Sequence, residues 1–234
     1  MTFLQVVSGL LVCLGPLGVI FWGFIRPKPA YIVVAIIGNF AWVCAAILAS
    51  LIWRILSPVA FFAPFPVLLT FACVSLARWL LAWLWLRVNR IYSPDSFVYS
   101  NLDFSVAAGW GLATAQVLIT QSALWADSAG PGTLMSISCS GLSALALSSL
   151  LSSIFAILQI TVTVMFFDGY IRQSRYHCLL PLLLYLIASS GTILNRLSGE
   201  SLCISSLLLS FGVLVFSVVY CKIMNIIPFG KISI

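Results

Sequence analysis

This sequence has very little charge. Charged residues make up 7% of 234 positions, with five acids and one histidine. An ordinary soluble domain is about a quarter charged, so a soluble fold could not clothe its surface from this set. Disorder is excluded as well, because it requires low hydrophobicity and high charge. With His177 as the single histidine, no His-Glu-x-x-His zinc pair exists, and zinc-dependent intramembrane proteolysis is excluded. No Asn-x-Ser/Thr acceptor is present, so N-glycosylation is not expected. The seven cysteines, at positions 13, 44, 73, 139, 178, 203 and 221, show no zinc spacing. They read as small packing residues, and no metal or other cofactor is expected. Cys221, beside Lys222 at a helix end, is a candidate for palmitoylation.

What the sequence has is long apolar runs. Hydrophobic residues reach 62%. Charge-free runs extend over Thr2–Ile25, Pro29–Trp53, Ile55–Ala77, Phe104–Ala126, Ser128–Phe167, Tyr176–Asn195 and Ser201–Cys221. A spanning helix needs about 20 mostly apolar residues. Strands of a membrane barrel would be short and alternating, so a barrel is excluded. The expected fold is all-α: one polytopic bundle, residues 1–234, of seven transmembrane helices. They are expected over 3–25, 31–53, 66–86, 104–126, 142–167, 178–194 and 202–221. The third is expected to be the least regular, because it holds Arg78 and follows Ser57-Pro58 and Pro64-Phe65-Pro66.

The basic residues give an orientation. No Lys or Arg precedes the first apolar run, which is too long for a cleavable signal peptide, and Arg26 and Lys28 follow it. Basic residues favour the cytosolic side. A lumenal N-terminus places Arg26, Lys28, Arg87, Arg90, Arg172, Arg175, Lys222 and Lys231 in the cytosol and only Arg54 and Arg196 in the lumen. The C-terminus is then cytosolic. This distribution accounts for the net charge of +6 by topology and contact with membrane lipid, and it forms no nucleic-acid-binding module.

Few side chains carry chemistry. The acids are Asp95, Asp103, Asp127, Asp168 and Glu200, none of them mid-span. A buried carboxylate pair of the aspartyl-protease kind is therefore not available. Asp103 and Asp168 are expected at the cytosolic rim, solvated or paired with Arg172 or Arg175. Ser140 is no better as a nucleophile, since His177 is expected at the opposite membrane face. Arg78 is the one ionisable residue expected inside the membrane, where such groups face the protein interior and mark a polar site. Internal satisfaction and contact with a partner subunit are equally weighted there. The fourth span carries Ala108, Gly109, Gly111, Ala113 and Ala115, and the fifth carries Ser140, Ser143, Ser148, Ser149, Ser152 and Ser153. Small and hydroxyl residues let membrane helices approach and bond, either within the bundle or with another subunit.

Several motifs occur in an informative order. They are Gly15-Pro16 with Phe21; Phe40-Ala41-Trp42 leading to Leu48-Ala49-Ser50-Leu51-Ile52-Trp53; Ala126-Asp127-Ser128-Ala129-Gly130-Pro131-Gly132; Phe166-Phe167-Asp168 followed by Arg172, Arg175 and Tyr176; and Asn195 with Glu200-Ser201-Leu202. Together they resemble the anterior-pharynx-defective family, the seven-helix non-catalytic subunit of γ-secretase. The chain looks like a divergent member. The family's glycine series in the fourth span falls on Gly109, Ala113 and Val117, and its two intramembrane histidines fall on Gln159 and Tyr185. Arg78 is kept without the family's acidic partner.

The resemblance implies a scaffold that does not itself cut peptide bonds. It implies presenilin, nicastrin and the presenilin-enhancer subunit as partners, with presenilin supplying the catalytic aspartates. Cleavage of type I membrane proteins such as Notch-like receptors would follow, as would residence in the secretory pathway (endoplasmic reticulum, Golgi and plasma membrane). On this reading Gly109, Ala113 and Val117 pack against a partner helix, and Arg78, Gln159 and Tyr185 form an intramembrane polar core. Asp127, Gly130, Pro131 and Gly132 shape a lumenal turn, and Asp168, Arg172 and Arg175 form the cytosolic rim. The rival expectation is a seven-helix receptor or small-molecule transporter.

Overall fold

The computed structural model describes residues 3–56, 65–91, 101–128, 143–193, 200–224 and 226. Seven α-helices occur in these residues: α1 (Phe3–Ile20), α2 (Pro29–Leu56), α3 (Phe65–Ile91), α4 (Asn101–Ser128), α5 (Ala144–Ile171), α6 (Arg175–Gly191) and α7 (Glu200–Ile223). Six segments, on every helix but α6, are long and apolar enough to cross a membrane. α6 has 17 residues and contains Pro181. Large apolar side chains such as Leu11, Ile36, Phe40, Leu208 and Phe216 are exposed, which fits a lipid-facing surface rather than water.

α1 runs into a π-helical segment, Phe21–Ile25, closed by Arg26 N–H donating to Phe21 O at 2.8 Å. One turn upstream, the Trp110 indole donates to Leu17 O at 2.8 Å, so a side chain from α4 enters the backbone ladder where the helix widens. α5 begins where Ser143 accepts from Ala146 N–H at 3.2 Å, an N-cap. It ends at a tight turn into α6, with Ser174 N–H reaching Gly169 O at 3.1 Å and Gln173 in the left-handed region at φ 54°.

α4 and α5 form the centre of the bundle. In their spanning windows 56% and 61% of residues are buried, against 17–33% in the other four spans. α4 meets α2 on one side and α5 on another. Small residues make both contacts possible. A Cβ on Gly38 would come within 2.5 Å of Ala108 O, and one on Gly111 would overlap the Ala35 carbonyl. α2 and α4 thus cross with a glycine on each helix against the other's backbone.

α3 departs from expectation. It is one continuous helix through Ile91 rather than an irregular span ending near 86, because Arg78 is fully buried among other helices and disturbs nothing. α4 also starts earlier than 104. Asn101 accepts from the Trp85 indole at 3.0 Å, which ties the first turn of α4 to the end of α3.

Candidate functional site

A chain of polar side chains runs through the middle of the bundle. Arg78 of α3 is 0% exposed and donates from Nη2 to Gln159 Oε1 of α5, also 0% exposed. The Arg78 guanidinium lies 4.6 Å from the centroid of the Tyr185 ring on α6, a cation–π contact. The Tyr185 hydroxyl donates to Gln116 Oε1 of α4 at 3.1 Å. One turn away on α4, Gln121 Nε2 donates to Ser148 Oγ at 2.8 Å and to Ser152 Oγ at 2.5 Å, both on α5. Four helices are joined through this chain.

Arg78, Gln159 and Tyr185 are therefore in direct contact, although the sequence singled them out from three separate spans. Gln116 and Gln121 escaped sequence reasoning. Their signal was present, since an amide inside a charge-free spanning run must find a partner within the protein. Tyr185, Gln116 and Thr120 line a cavity of about 390 Å³ bounded by α3, α4, α5 and α6, with Trp42 of α2.

Gly109, Ala113 and Val117 lie inside the chain rather than on its outer surface. A Cβ on Gly109 would meet Ile160 Cα of α5 at 3.0 Å. Ala113 and Val117 are 0% and 1% exposed and pack with Cys13 and Leu17 of α1 and Ala156 and Ile160 of α5. The helices occupying this face are the chain's own.

The rim residues divide into two groups. Asp168 pairs with Arg172 one turn on, with Arg172 Nε 2.8 Å from the carboxylate, as expected. Arg175 opens α6. Asp103 pairs neither with Arg172 nor with Arg175; it accepts from the Tyr31 hydroxyl at 2.5 Å and lies 3.5 Å from Lys28 Nζ. The reason is topological, since the start of α4 lies against the start of α2. Gly130, Pro131 and Gly132 fall outside the described residues, and Asp127 sits in the last turn of α4. Ser140 also falls outside them. His177 Nδ1 is 2.7 Å from Ser174 Oγ, a contact within the first turn of α6. Cys221 is 0% exposed and packs between α5, α6 and α7, so the expected lipid-modification site is closed off by burial.

The polar chain brings together a guanidinium, three amides, a phenol and two serine hydroxyls. Such a set supplies directional hydrogen bonds and a fixed positive charge, and none of its members titrates near neutrality. It suits holding helices in register.

Comparison with known proteins points in one direction. The family model described as Aph-1 protein matches residues 4–226. A curated relative from Arabidopsis thaliana, named gamma-secretase subunit APH1-like, is 24% identical over 223 residues, covering 90% of this chain and 88% of the relative. A match that runs through all seven helices, joined to a bundle with a buried polar chain, fixes the assignment: the chain belongs to the Aph-1 (anterior-pharynx-defective) family.

Proposed function

We propose that this chain is a non-catalytic scaffold subunit of γ-secretase. The observation that carries the reading is the Aph-1 match over residues 4–226, supported by a relative named as a subunit of that complex. The companions are presenilin, which provides the catalytic aspartates, nicastrin and the presenilin-enhancer subunit. The substrates of the assembly are type I membrane proteins such as Notch-like receptors, cleaved along the secretory pathway.

Within the scaffold, Arg78, Gln159 and Tyr185 hold α3, α5 and α6 together. Gly109, Ala113 and Val117 set the spacing of α4 against α5 and α1. Asp127 with Gly130–Gly132 shapes the lumenal turn, and Asp168, Arg172 and Arg175 hold the cytosolic rim. All seven helices cross the membrane, with the N-terminus lumenal. At 17 residues α6 spans about 25 Å at 1.5 Å per residue, near the lower limit for a bilayer. Arg26, Lys28, Arg172, Arg175 and Lys222 gather at the end assigned to the cytosol.

Affinity capture after gentle detergent extraction, followed by identification of the bound proteins, tests this reading. Stoichiometric presenilin and nicastrin are the expected result. A solitary chain stabilised by a small ligand would instead establish the receptor or transporter reading.

A further inference from the structure

The cavity wall leads to Arg78. On α3 the wall carries Val67, Phe71 and Val74, and Arg78 is the next residue on that face, one turn further in. On α5 it carries Ser148, Ser152 and Phe155, and Gln159 is next in the same register. Tyr185 belongs to both the wall and the Arg78 contact. Helical side chains tilt toward the helix N-terminus. On α3 that direction leads from Arg78 back toward Val74 and the cavity wall.

The unpartnered polar groups one turn beyond this wall, on Arg78 and Gln159, are all of one kind. Arg78 Nη2 is bonded to Gln159 Oε1. Among the described residues, Arg78 Nε, Arg78 Nη1 and Gln159 Nε2 have no hydrogen-bond partner. Each of the three is a donor. Both described ion pairs, Lys28–Asp103 and Arg172–Asp168, lie at the rim. Gln159 Oε1 and Tyr185 offset part of the cost of burying this guanidinium, but among the described residues no carboxylate joins them, and a charged acceptor would offset more. Full burial within the chain's own helices leaves no approach for the side chain of a neighbouring protein, whereas the cavity admits a small solute.

We infer that Arg78 and Gln159 form a binding site for a small monovalent inorganic anion, chloride in a cell, reached through the cavity past Tyr185. The anion accepts from Arg78 Nε and Nη1 and from Gln159 Nε2, and it neutralises the one cation that is buried among the described residues. The site uses this chain's residues only and does not depend on the assembly reading.

The test uses the full chain in detergent, with chloride exchanged for gluconate at constant ionic strength. Melting temperature and ³⁵Cl NMR line width are followed. The expected result is a saturable chloride-dependent rise in Tm and a line broadening that bromide displaces. Arg78→Gln should weaken chloride binding about tenfold or more, the loss expected for hydrogen bonds to a charged group. Gln159→Glu places a carboxylate against Arg78, and it should keep the fold while abolishing the chloride dependence. Arg87→Gln, on the same helix but exposed, should leave it unchanged. Identical behaviour of the parent chain in chloride and gluconate would overturn the inference. So would undiminished chloride dependence in Gln159→Glu, which would place the chloride at another site. If Arg78→Gln does not fold, the parent and Gln159→Glu titrations decide on their own.

Discussion

Arg78 of α3 donates a hydrogen bond to Gln159 of α5 across 81 residues of chain, and both side chains are 0% exposed. Removing the acceptor leaves a buried charge with less compensation. Gln159→Leu is expected to cost about 2–3 kcal/mol, the range for a hydrogen bond to a charged group. Arg78→Met combined with Gln159→Leu should recover part of that loss, because an apolar pair needs no compensation. Thermal unfolding of the three variants in detergent checks this, and full additivity of the single changes would count against a direct bond.

Tyr185 does two things, and two substitutions separate them. Tyr185→Phe removes the hydroxyl bonded to Gln116 at 3.1 Å but keeps the ring beside Arg78. A loss of about 0.6–2 kcal/mol is expected, the range for one interhelical bond in a membrane. Tyr185→Leu also removes the cation–π contact and the ring packing against Phe71 and Phe155, and it should cost more. A double-mutant cycle with Gln116→Leu reads the first term. Equal losses for Phe and Leu would show that the ring contributes nothing.

The crossing of α2 and α4 depends on two glycines. Gly111→Leu and Gly38→Leu place atoms where the partner backbone already lies, so the helices must separate. Each should cost about 3 kcal/mol or more, the upper range for overpacking, with loss of folded chain in detergent size-exclusion profiles. Gly212→Ala meets nothing within 4 Å and should be neutral or stabilising by up to about 1 kcal/mol, from helix propensity alone.

Lys28 and Tyr31 are partners of Asp103 of unequal value. The Lys28 side chain is 54% exposed, so Lys28→Gln should cost well under 1 kcal/mol, as for other exposed pairs. Tyr31 is 2% exposed, and Tyr31→Phe, which removes its bond to Asp103, should cost about 1 kcal/mol or more. Chemical or thermal unfolding ranks the two, and the reverse order would contradict the burial argument.

The sequence revealed the helices more readily than their contacts. Charge-free runs follow directly from the bilayer's demand for apolar spans, so seven helices were legible within a few residues. Arg78 stood out for the same reason, as the one charge inside a run. Its neighbours were less legible. Gln159 and Tyr185 were singled out only through a family resemblance, and Gln116 and Gln121 carry no charge to attract attention. The faces of α4 were harder still. Gly109 and Gly111 both sit in a small-residue stretch, but two residues of separation turn a helix by about 200°. One glycine therefore meets α5 and the other meets α2, and spacing alone names neither neighbour. Asp103 paired with Lys28 rather than with Arg172 or Arg175 because the order of helices around the bundle is a tertiary property.

The central claim is that this chain holds a protease together without cutting anything itself. It is tested most directly by reconstituting presenilin, nicastrin and the presenilin-enhancer subunit in liposomes, with and without this chain, and measuring cleavage of a type I membrane substrate. Cleavage only when all four are present, and none by this chain alone, is the predicted result. Cleavage by the purified chain on its own, or undiminished cleavage when it is left out, would contradict the account.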